Sequence, residues 1–324
     1  MDKTKITFYG CQEDERETVC SLAPHLRVEP VFISEDVSPE NASLANGCCV
    51  SVGHRAEIGG PTLAALKDAG VEFLSTRSIG TNHIDIAAAE RLGIRIENVR
   101  YTPEGVADYT VMLMLMALRG TKGILLRAQR MDFRLPPSRG QELEKLTVGV
   151  VGTGSIGSAV IRRLRGFGCR ILAFDPRPGE NVRYVSLDTL LKRSDIITLH
   201  VPLTDQTRHL IGASQIRKMK PAAILVNTAR GALVDTAALT EALASGKLGG
   251  AALDVVEGEE ALFYEDHGAD NAQTTPLGLL SRLPNVILSP HTAYYTEGVL
   301  LESVQKSILS CLRFAGGEGE KHHE

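Results

Sequence analysis

Short apolar segments rich in β-branched residues alternate with Ala- and Leu-rich segments along most of the chain. This rhythm is typical of parallel α/β sheets, in which a helix connects each strand to the next. In the first hundred residues it predicts five strands, at 5–10, 27–34, 48–53, 71–76 and 94–98. Helical patterns at 61–70 and 84–93 lie between the last three of these strands.

A second alternating series begins at Thr147 and predicts six strands, at 147–152, 170–175, 195–202, 223–228, 251–256 and 285–290. Because these strands are almost continuously apolar, we expect a doubly wound parallel sheet buried on both faces. A helix at 104–120, with Pro103 suited to its start, is apolar nearly all round and is expected to be buried. Residues 296–316 predict one amphipathic helix.

The length of 324 residues suggests two domains, and 43% hydrophobic with 23% charged residues is typical of globular proteins. A formal net charge of -4 gives no electrostatic footprint for nucleic acid or an anionic membrane. The longest apolar run, Val111–Leu118, is too short to cross a bilayer, and the first residues lack a signal-peptide core. Six cysteines without Cys-x-x-Cys spacing indicate ordinary thiols, and we expect a soluble cytoplasmic protein with no metal site.

A glycine motif, GTGSIG at 152–157, follows an apolar strand and opens a helical segment. Alone it could be a simple turn between a strand and a helix. Asp175, 18 residues beyond the motif at the end of the next strand, favours dinucleotide binding, because a carboxylate there accepts hydrogen bonds from ribose hydroxyls. NAD is therefore the predicted cofactor, while Arg177 and Arg183 leave NADP possible.

Three further strand ends carry polar groups where an open α/β sheet binds its ligands. Arg230 follows one strand, Asp254 and three glutamates follow the next, and His291 follows the last. An Arg can clamp a carboxylate, a His can act as general acid, and a Glu can orient that His. Each residue alone could equally be a surface or loop group, but together beside a nucleotide motif they indicate a catalytic site.

The chain resembles the D-2-hydroxyacid dehydrogenase family over essentially its whole length. The matching segments are SIGTNHID (78–85), GVVGTGSIG (149–157), HVPLTDQTRHLI (200–211), NTARGALVD (227–235), GGAALDVVEGEE (249–260) and SPHTAYYT (289–296). Within the family it is most similar to D-lactate dehydrogenases of the vancomycin-resistance type, through STRSIG (75–80), FRL with RG (133–140) and RLRGFGC (163–169).

The resemblance implies roles for individual residues. Arg230 would bind the substrate carboxylate and polarise its carbonyl, and His291 would donate the proton during reduction. Glu259, rather than Glu257, would hydrogen-bond His291 and favour its protonated form, and Asp254 would hold the nicotinamide amide. The implied substrate contacts are Ile79, Gly80, Tyr101 and Arg230. The implied cofactor contacts are Gly152, Gly154, Ser155, Ile156, Gly157, Asp175, Val201, Pro202, Thr207, Thr228, Ala229, Arg230, Asp254 and His291.

The resemblance also implies the architecture and activity. Residues 1–100 and 296–324 would form a flavodoxin-like substrate domain, into which a Rossmann NAD-binding domain at 101–295 is inserted. The expected enzyme is an NADH-dependent D-lactate dehydrogenase that reduces pyruvate, acting as a homodimer through helix 104–120 and the segment after it. A branched D-2-hydroxyacid dehydrogenase and an NAD-sensing corepressor-like binding protein are the alternatives. The product could serve fermentation or supply D-Ala-D-Lac cell-wall precursors.

Overall fold

The computed structural model describes residues 3–136, 138–180, 182–259, 262–264, 266–267 and 275–316. The chain forms two compact units. Met1–Thr102 and Tyr295–Glu324 together make the discontinuous unit, and Pro103–Tyr294 makes the continuous unit.

Helices and strands alternate in both units. The strands are β1 (Thr4–Tyr9), β2 (Val28–Ile33), β3 (Cys49–Val52), β4 (Phe73–Thr76), β5 (Arg95–Asn98), β6 (Thr147–Val151), β7 (Arg170–Phe174), β8 (Arg183–Tyr184), β9 (Ile196–Leu199), β10 (Ala223–Asn227), β11 (Leu248–Leu253) and β12 (Val286–Leu288). The helices are α1 (Glu13–Leu26), α2 (Gly60–Asp68), α3 (Ile86–Leu92), α4 (Glu104–Leu118), α5 (Thr121–Ala128), α6 (Ser155–Arg165), α7 (Leu187–Arg193), α8 (Ala213–Lys218), α9 (Thr236–Ala244), α10 (Pro276–Arg282) and α11 (Glu297–Ala315).

The discontinuous unit is built on a five-stranded parallel sheet in the order β2-β1-β3-β4-β5. Its two faces bury separate apolar clusters. Leu63 and Leu66 of α2 pack on Val50 on one face, and Val304 and Ile308 of α11 belong to the cluster on the other. The order 2-1-3-4-5 is that of flavodoxin-like folds, so the predicted class of this unit is confirmed.

The continuous unit holds a seven-stranded parallel sheet in the order β12-β11-β10-β9-β6-β7-β8. Helices cover both faces here too, with α4 and α6 in one apolar cluster and α7, α8 and α9 in the other. This is the predicted doubly wound sheet. The seventh strand, β8, has only two residues and no apolar run, so the hydrophobic pattern did not predict it.

The predicted helix 104–120 is shorter than expected and is followed by a second helix. It ends at Leu118, and Gly120 adopts a left-handed φ of 59° before α5 begins at Thr121. Within the described part of the chain no single helix is long and apolar enough to span a membrane. Only α4 and α5 pass such a test, as a pair bent by 72°.

Candidate active site

The carboxyl edge of the seven-stranded sheet gathers most of the predicted site residues. From the central strand β6 the chain moves outward through β7 and β8, then returns to β9 on the other side of β6. The loops after β6 and β9 therefore diverge, and open α/β sheets bind their ligands at such a switch point.

The glycine motif after β6 is shaped by close backbone contacts. Gly152 has φ 90°, and a Cβ there would lie 2.5 Å from the carbonyl oxygen of His200. A Cβ on Gly157 would lie 2.0 Å from the carbonyl oxygen of Gly152. Around Gly154, in contrast, a Cβ would meet no atom within 4 Å, so this side of the loop is open.

The start of α6 fits the diphosphate of a dinucleotide. Ser155 and Ile156 lie in its first turn, and the N-cap residue Gly154 offers no side chain to the amide groups there. The first intrahelical bond runs from the amide of Ser158 to Gly154. The preceding N–H groups and the helix dipole therefore suit an anion that approaches through the open space at Gly154.

Asp175 lies at the end of β7 and is tied to the glycine motif. Its Oδ2 accepts hydrogen bonds from the amide (2.7 Å) and hydroxyl (3.2 Å) of Thr153, and its Oδ1 accepts one from the amide of Arg177 (2.9 Å). Tyr184 on β8 donates to the Thr153 hydroxyl at 3.0 Å. Partial burial would raise the pKa of the Asp175 carboxyl, but these hydrogen bonds outweigh it and lower the pKa.

The other predicted cofactor contacts lie after β9 and β10. Val201 and Pro202 follow β9, and the Thr207 hydroxyl closes the turn there by donating to the carbonyl of Pro202 at 2.6 Å. Thr228 is buried and shares a 2.9 Å hydrogen bond with Thr110 of α4. Ala229 accepts a 2.6 Å hydrogen bond from the guanidinium of Arg230.

Arg230 follows β10, one of the three adjacent strands β10, β11 and β12 that precede Arg230, Glu259 and His291. Asn227, the buried last residue of β10, donates to the carbonyl of Arg230 at 2.9 Å and so fixes the backbone at that point. Gly231 permits this turn to pack tightly, since a Cβ there would lie 2.1 Å from the carbonyl carbon of Val256.

His291 and Glu259 form a hydrogen-bonded pair after β12 and β11. Nδ1 of His291 lies 2.7 Å from Oε1 of Glu259, with side-chain exposures of 21% and 12%. The second oxygen of Glu259 accepts the amide of Val256 at 2.5 Å. A carboxylate held this way has one oxygen left for the imidazole, and that oxygen orients the ring.

The carboxylate of Asp254 shapes the turn that carries His291. It is 1% exposed and accepts hydrogen bonds from the Ser289 hydroxyl (2.6 Å) and the amides of Thr292 (3.0 Å) and Ala293 (2.8 Å). The amide of His291 donates to the backbone carbonyl of Asp254 at 2.8 Å. His291 itself has φ 50°, a left-handed conformation that few residues other than glycine adopt.

Of the other two glutamates after β11, Glu257 is engaged elsewhere. It lies 2.9 Å from Nε2 of His209 and 3.4 Å from the guanidinium of Arg208. Glu260 lies outside the described residues.

The predicted substrate contacts Ile79, Gly80 and Tyr101 belong to the discontinuous unit. Asn98 donates to the carbonyl of Ile79, and the Ser78 hydroxyl donates to the carbonyl of Gly80 at 2.7 Å. With both carbonyl groups occupied in this way, the orientation of the peptide groups around Gly80 is fixed. Tyr101 is half-buried after β5.

Sequence reasoning missed four residues that support the site: Tyr109, Thr153, Tyr184 and Tyr264. Thr153 lies inside the glycine motif, so its position could have revealed it. The tyrosines act through tertiary contacts: Tyr109 shares a 3.1 Å hydrogen bond with Thr292, and Tyr264 donates to the carbonyl of His291 at 3.1 Å. No local pattern indicates such contacts.

Comparisons with known proteins identify the family. The model for the NAD-binding domain of D-isomer specific 2-hydroxyacid dehydrogenases matches residues 111–293. A D-specific alpha-keto acid dehydrogenase of Enterococcus faecalis is 54% identical, over 95% of this chain and 96% of the relative. A D-lactate dehydrogenase of Curvularia clavata, kk1H, is 40% identical over 97% and 93%. The NAD-complexed structure of a D-isomer specific 2-hydroxyacid dehydrogenase from Lactobacillus delbrueckii ssp. bulgaricus superposes with a TM-score of 0.85 at 32% identity, covering 99% of each chain.

The fold and these matches define an oxidoreductase built on two parallel α/β sheets. The chain belongs to the D-isomer specific 2-hydroxyacid dehydrogenase family, as its motifs predicted. Residues 111–293 of the continuous unit carry the NAD-binding domain of that family, and the cofactor is NAD.

Proposed function

We propose that this chain is an NADH-dependent D-lactate dehydrogenase that reduces pyruvate to D-lactate. The observation that carries the proposal is the 2.7 Å pair of Glu259 and His291 after β11 and β12, with Arg230 after the adjoining strand β10. A cation, a general acid and an orienting carboxylate on three neighbouring strands suit the reduction of a 2-keto acid.

Arg230 is proposed to bind the substrate carboxylate and to polarise the keto group. Its planar guanidinium offers paired donors, whereas a lysine offers a single compact charge. We expect Arg230→Lys to raise KM for pyruvate and to lower kcat together. The substitution removes the paired hydrogen-bond donors from both the bound substrate and the transition state. Steady-state kinetics would measure this, and a Lys variant with unchanged parameters would contradict the assignment.

His291 is proposed to give a proton to the carbonyl oxygen as negative charge builds there. Bound NADH supplies the hydride for the reduction. Since Nδ1 of His291 contacts Glu259, the proton given to substrate leaves from Nε2. Glu259 stabilises the charged ring before the transfer, and Arg230 stabilises the developing alkoxide.

Asp175 is proposed to select NADH over NADPH, because its ionised carboxylate repels a 2′-phosphate. Asp175→Ser should narrow the preference, although it also removes the acceptor for the Thr153 amide and should weaken NADH binding. The ratio of kcat/KM for the two cofactors measures this. A wild-type enzyme that uses NADPH as well as NADH would contradict the role.

The remaining predicted contacts are part of the same proposal. The amide groups around Ile79 and Gly80 would bind the substrate carboxylate, and Tyr101 would limit the size of the substrate side chain. Asp254 would accept a hydrogen bond from the nicotinamide amide through Oδ2, which accepts one hydrogen bond, from Ala293, within the described residues. Tyr101→Ala should raise relative kcat/KM for bulky 2-keto acids, whereas an equal loss for every substrate would indicate a structural tyrosine.

The proposed activity is tested by following NADH oxidation with pyruvate and determining the chirality of the product. D-lactate formation that His291→Gln abolishes is the expected result. A preference for 2-ketoisocaproate would favour the branched-chain alternative. Tight NADH binding without turnover of any 2-keto acid would favour the corepressor-like alternative.

We also propose that the enzyme is a homodimer formed through α5 and the segment that follows it. No residue of α5 is buried within the chain, and Met131, Phe133 and Leu135 are 77%, 72% and 91% exposed. Several exposed apolar side chains in one segment of the chain indicate a protein interface. Sedimentation should give a dimer that Phe133→Glu weakens; a monomeric wild-type enzyme would contradict this.

A cytoplasmic location and a role in supplying D-lactate for D-Ala-D-Lac precursors complete the proposal. The six cysteines are free, as in a reducing compartment. The vancomycin-resistance role rests on the motif resemblance alone, with fermentation as its rival. A neighbouring gene for a ligase that joins D-alanine to D-lactate would favour the first role.

A further inference from the structure

The backbone of His291 is held on both sides of its Cα. On one side, its amide donates to the carbonyl of Asp254 at 2.8 Å. On the other, its carbonyl accepts the phenol of Tyr264 at 3.1 Å, and the amide of Thr292 in the same peptide group donates to Asp254. Both peptide planes around His291 are thus fixed, which holds the residue in its left-handed conformation with φ 50°.

Tyr264 is itself positioned by the segment that carries Glu259. The carbonyl of Glu259 accepts the amides of Leu262 (2.9 Å) and Phe263 (2.8 Å), and Phe263 is buried at 8% exposure. Tyr264 follows directly with φ 70°, a second left-handed residue. One short segment therefore presents a carboxylate to the ring of His291 and a phenol to its backbone.

The phenol of Tyr264 remains a donor across the working pH range. Burial raises its pKa, and the neighbouring Tyr294, Glu259 and Asp254 raise it further. Tyr264 is also hydrogen-bonded to Tyr294, whose ring meets the imidazole of His291 edge-on at 6.1 Å between centroids. Among the described residues, the ionisable groups on the elements around His291 include these four residues, Tyr109 on α4 and Arg230 after β10.

We infer that Tyr264 is a positioning residue for His291, which keeps the imidazole within reach of Glu259 by holding the carbonyl of His291. The inference rests on the proposed role of His291 as the proton donor. The phenol does not need to touch substrate or cofactor, because its effect passes through the orientation of the His291 backbone.

Tyr264→Phe keeps the ring and removes only the donor. We expect kcat for pyruvate reduction to fall about 3- to 10-fold with KM for NADH unchanged, and the alkaline limb of the kcat profile to move to lower pH. The matched control is Tyr109→Phe, which removes the phenol bound to the side chain of Thr292, the next residue. This control should leave the limb in place.

A double-mutant comparison separates positioning from a general structural role. In a Glu259→Gln background the charge that acts on the imidazole is already absent, so Tyr264→Phe should change kcat less than twofold further. Multiplicative effects of the two substitutions, or an unmoved pH limb in Tyr264→Phe, would overturn the inference.

Measuring the titration of the His291 ring directly separates this test from the test of the proposed function. The NMR titration of the His291 imidazole, assigned with His291→Gln, should move to lower pH in Tyr264→Phe. If His291→Gln leaves turnover intact, the proposed function fails, while the titration still decides whether Tyr264 positions the ring. An identical titration in wild type and Tyr264→Phe would overturn the inference alone.

Discussion

The two nitrogens of His291 have different surroundings, and this difference defines what the ring can do. Nδ1 is committed to Glu259 at 2.7 Å, and Glu259 is in turn fixed by the amide of Val256. In the proposed reaction, the proton given to the substrate would therefore leave from Nε2. A carboxylate oriented by a backbone donor holds both the tautomer and the direction of the imidazole.

Glu259→Gln should shift the pH dependence of the reaction without removing the hydrogen bond to His291. Reduction requires the protonated ring, so its rate falls as pH rises. Deleting the charge of Glu259 removes the anion that faces the imidazolium, so the alkaline limb should move to lower pH. The acid limb of D-lactate oxidation should move in the same direction. Profiles that coincide with wild type would show that the charge of Glu259 is not felt by His291.

At this scale the sequence indicated which strand ends carry candidate site residues, but not the residues that support them. Strand-end position and motif resemblance placed Arg230, Glu259 and His291 on neighbouring strands, because sheet order follows from the βα rhythm. Tyr264 has no such signal: it contacts a residue 27 positions away through one phenol.

The glycines of the motif are needed for two different reasons: some avoid a clash within the protein, and one leaves space for a ligand. Gly152 and Gly157 are needed by the protein itself, because a Cβ at either would overlap backbone atoms. A Cβ on Gly154 would meet no protein atom within 4 Å, so the absence of a side chain there leaves room for a ligand.

Gly154→Ala and Gly157→Ala should therefore fail in different ways. Gly154→Ala should keep the wild-type Tm and raise the Kd for NADH about tenfold or more, since the new methyl occupies the space for the diphosphate. Gly157→Ala should lower Tm by several degrees, because its Cβ would lie 2.0 Å from the carbonyl oxygen of Gly152. Thermal unfolding and NADH fluorescence titration measure the two effects. A destabilised Gly154→Ala, or a fully stable Gly157→Ala, would contradict this division.

Element boundaries were predicted well where apolar runs are long and poorly where they are short or interrupted. Strands β1 to β5 lie within one or two residues of their predicted ranges. The strand predicted at 251–256 occurs at Leu248–Leu253, because two glycines begin it and weaken its apolar pattern. Helix α1 was not predicted, because its exposed face is highly charged and Pro24, a residue that usually ends helices, lies inside it.

The stability of the whole molecule should depend on His200. This half-buried residue lies beneath the glycine motif. Its Nε2 contacts the Thr198 hydroxyl at 2.9 Å, and its buried Nδ1 has no hydrogen-bond partner within the described residues. Burial lowers its pKa to about 3. A histidine in the unfolded chain has a pKa of ~6.5. Below that pH the unfolded state binds a proton at His200 and the folded state does not, so acid favours unfolding.

Acidification should therefore destabilise the enzyme, and His200→Phe should reduce this effect. Between neutral pH and pH 5 the contribution amounts to about 2 kcal/mol, and the loss continues until the pH approaches the folded value. Thermal unfolding at several pH values compares the two proteins. Equal losses of Tm on acidification in wild type and variant would show that His200 is not the source.

The path of the chain through the discontinuous unit has a consequence for protein synthesis. One apolar cluster of this unit joins early and late parts of the chain. Its early members include Phe8, Cys49 and Phe73, and its late members include Val304 and Ile308, which are translated near the end. At about 5–20 residues per second, the roughly 230 residues between Phe73 and Val304 take on the order of 10–50 seconds to translate. During that interval one face of the nascent five-stranded sheet lacks its cover, while the strands of the continuous unit are being synthesised. We expect chaperones to bind the nascent chain at this uncovered apolar face of the five-stranded sheet.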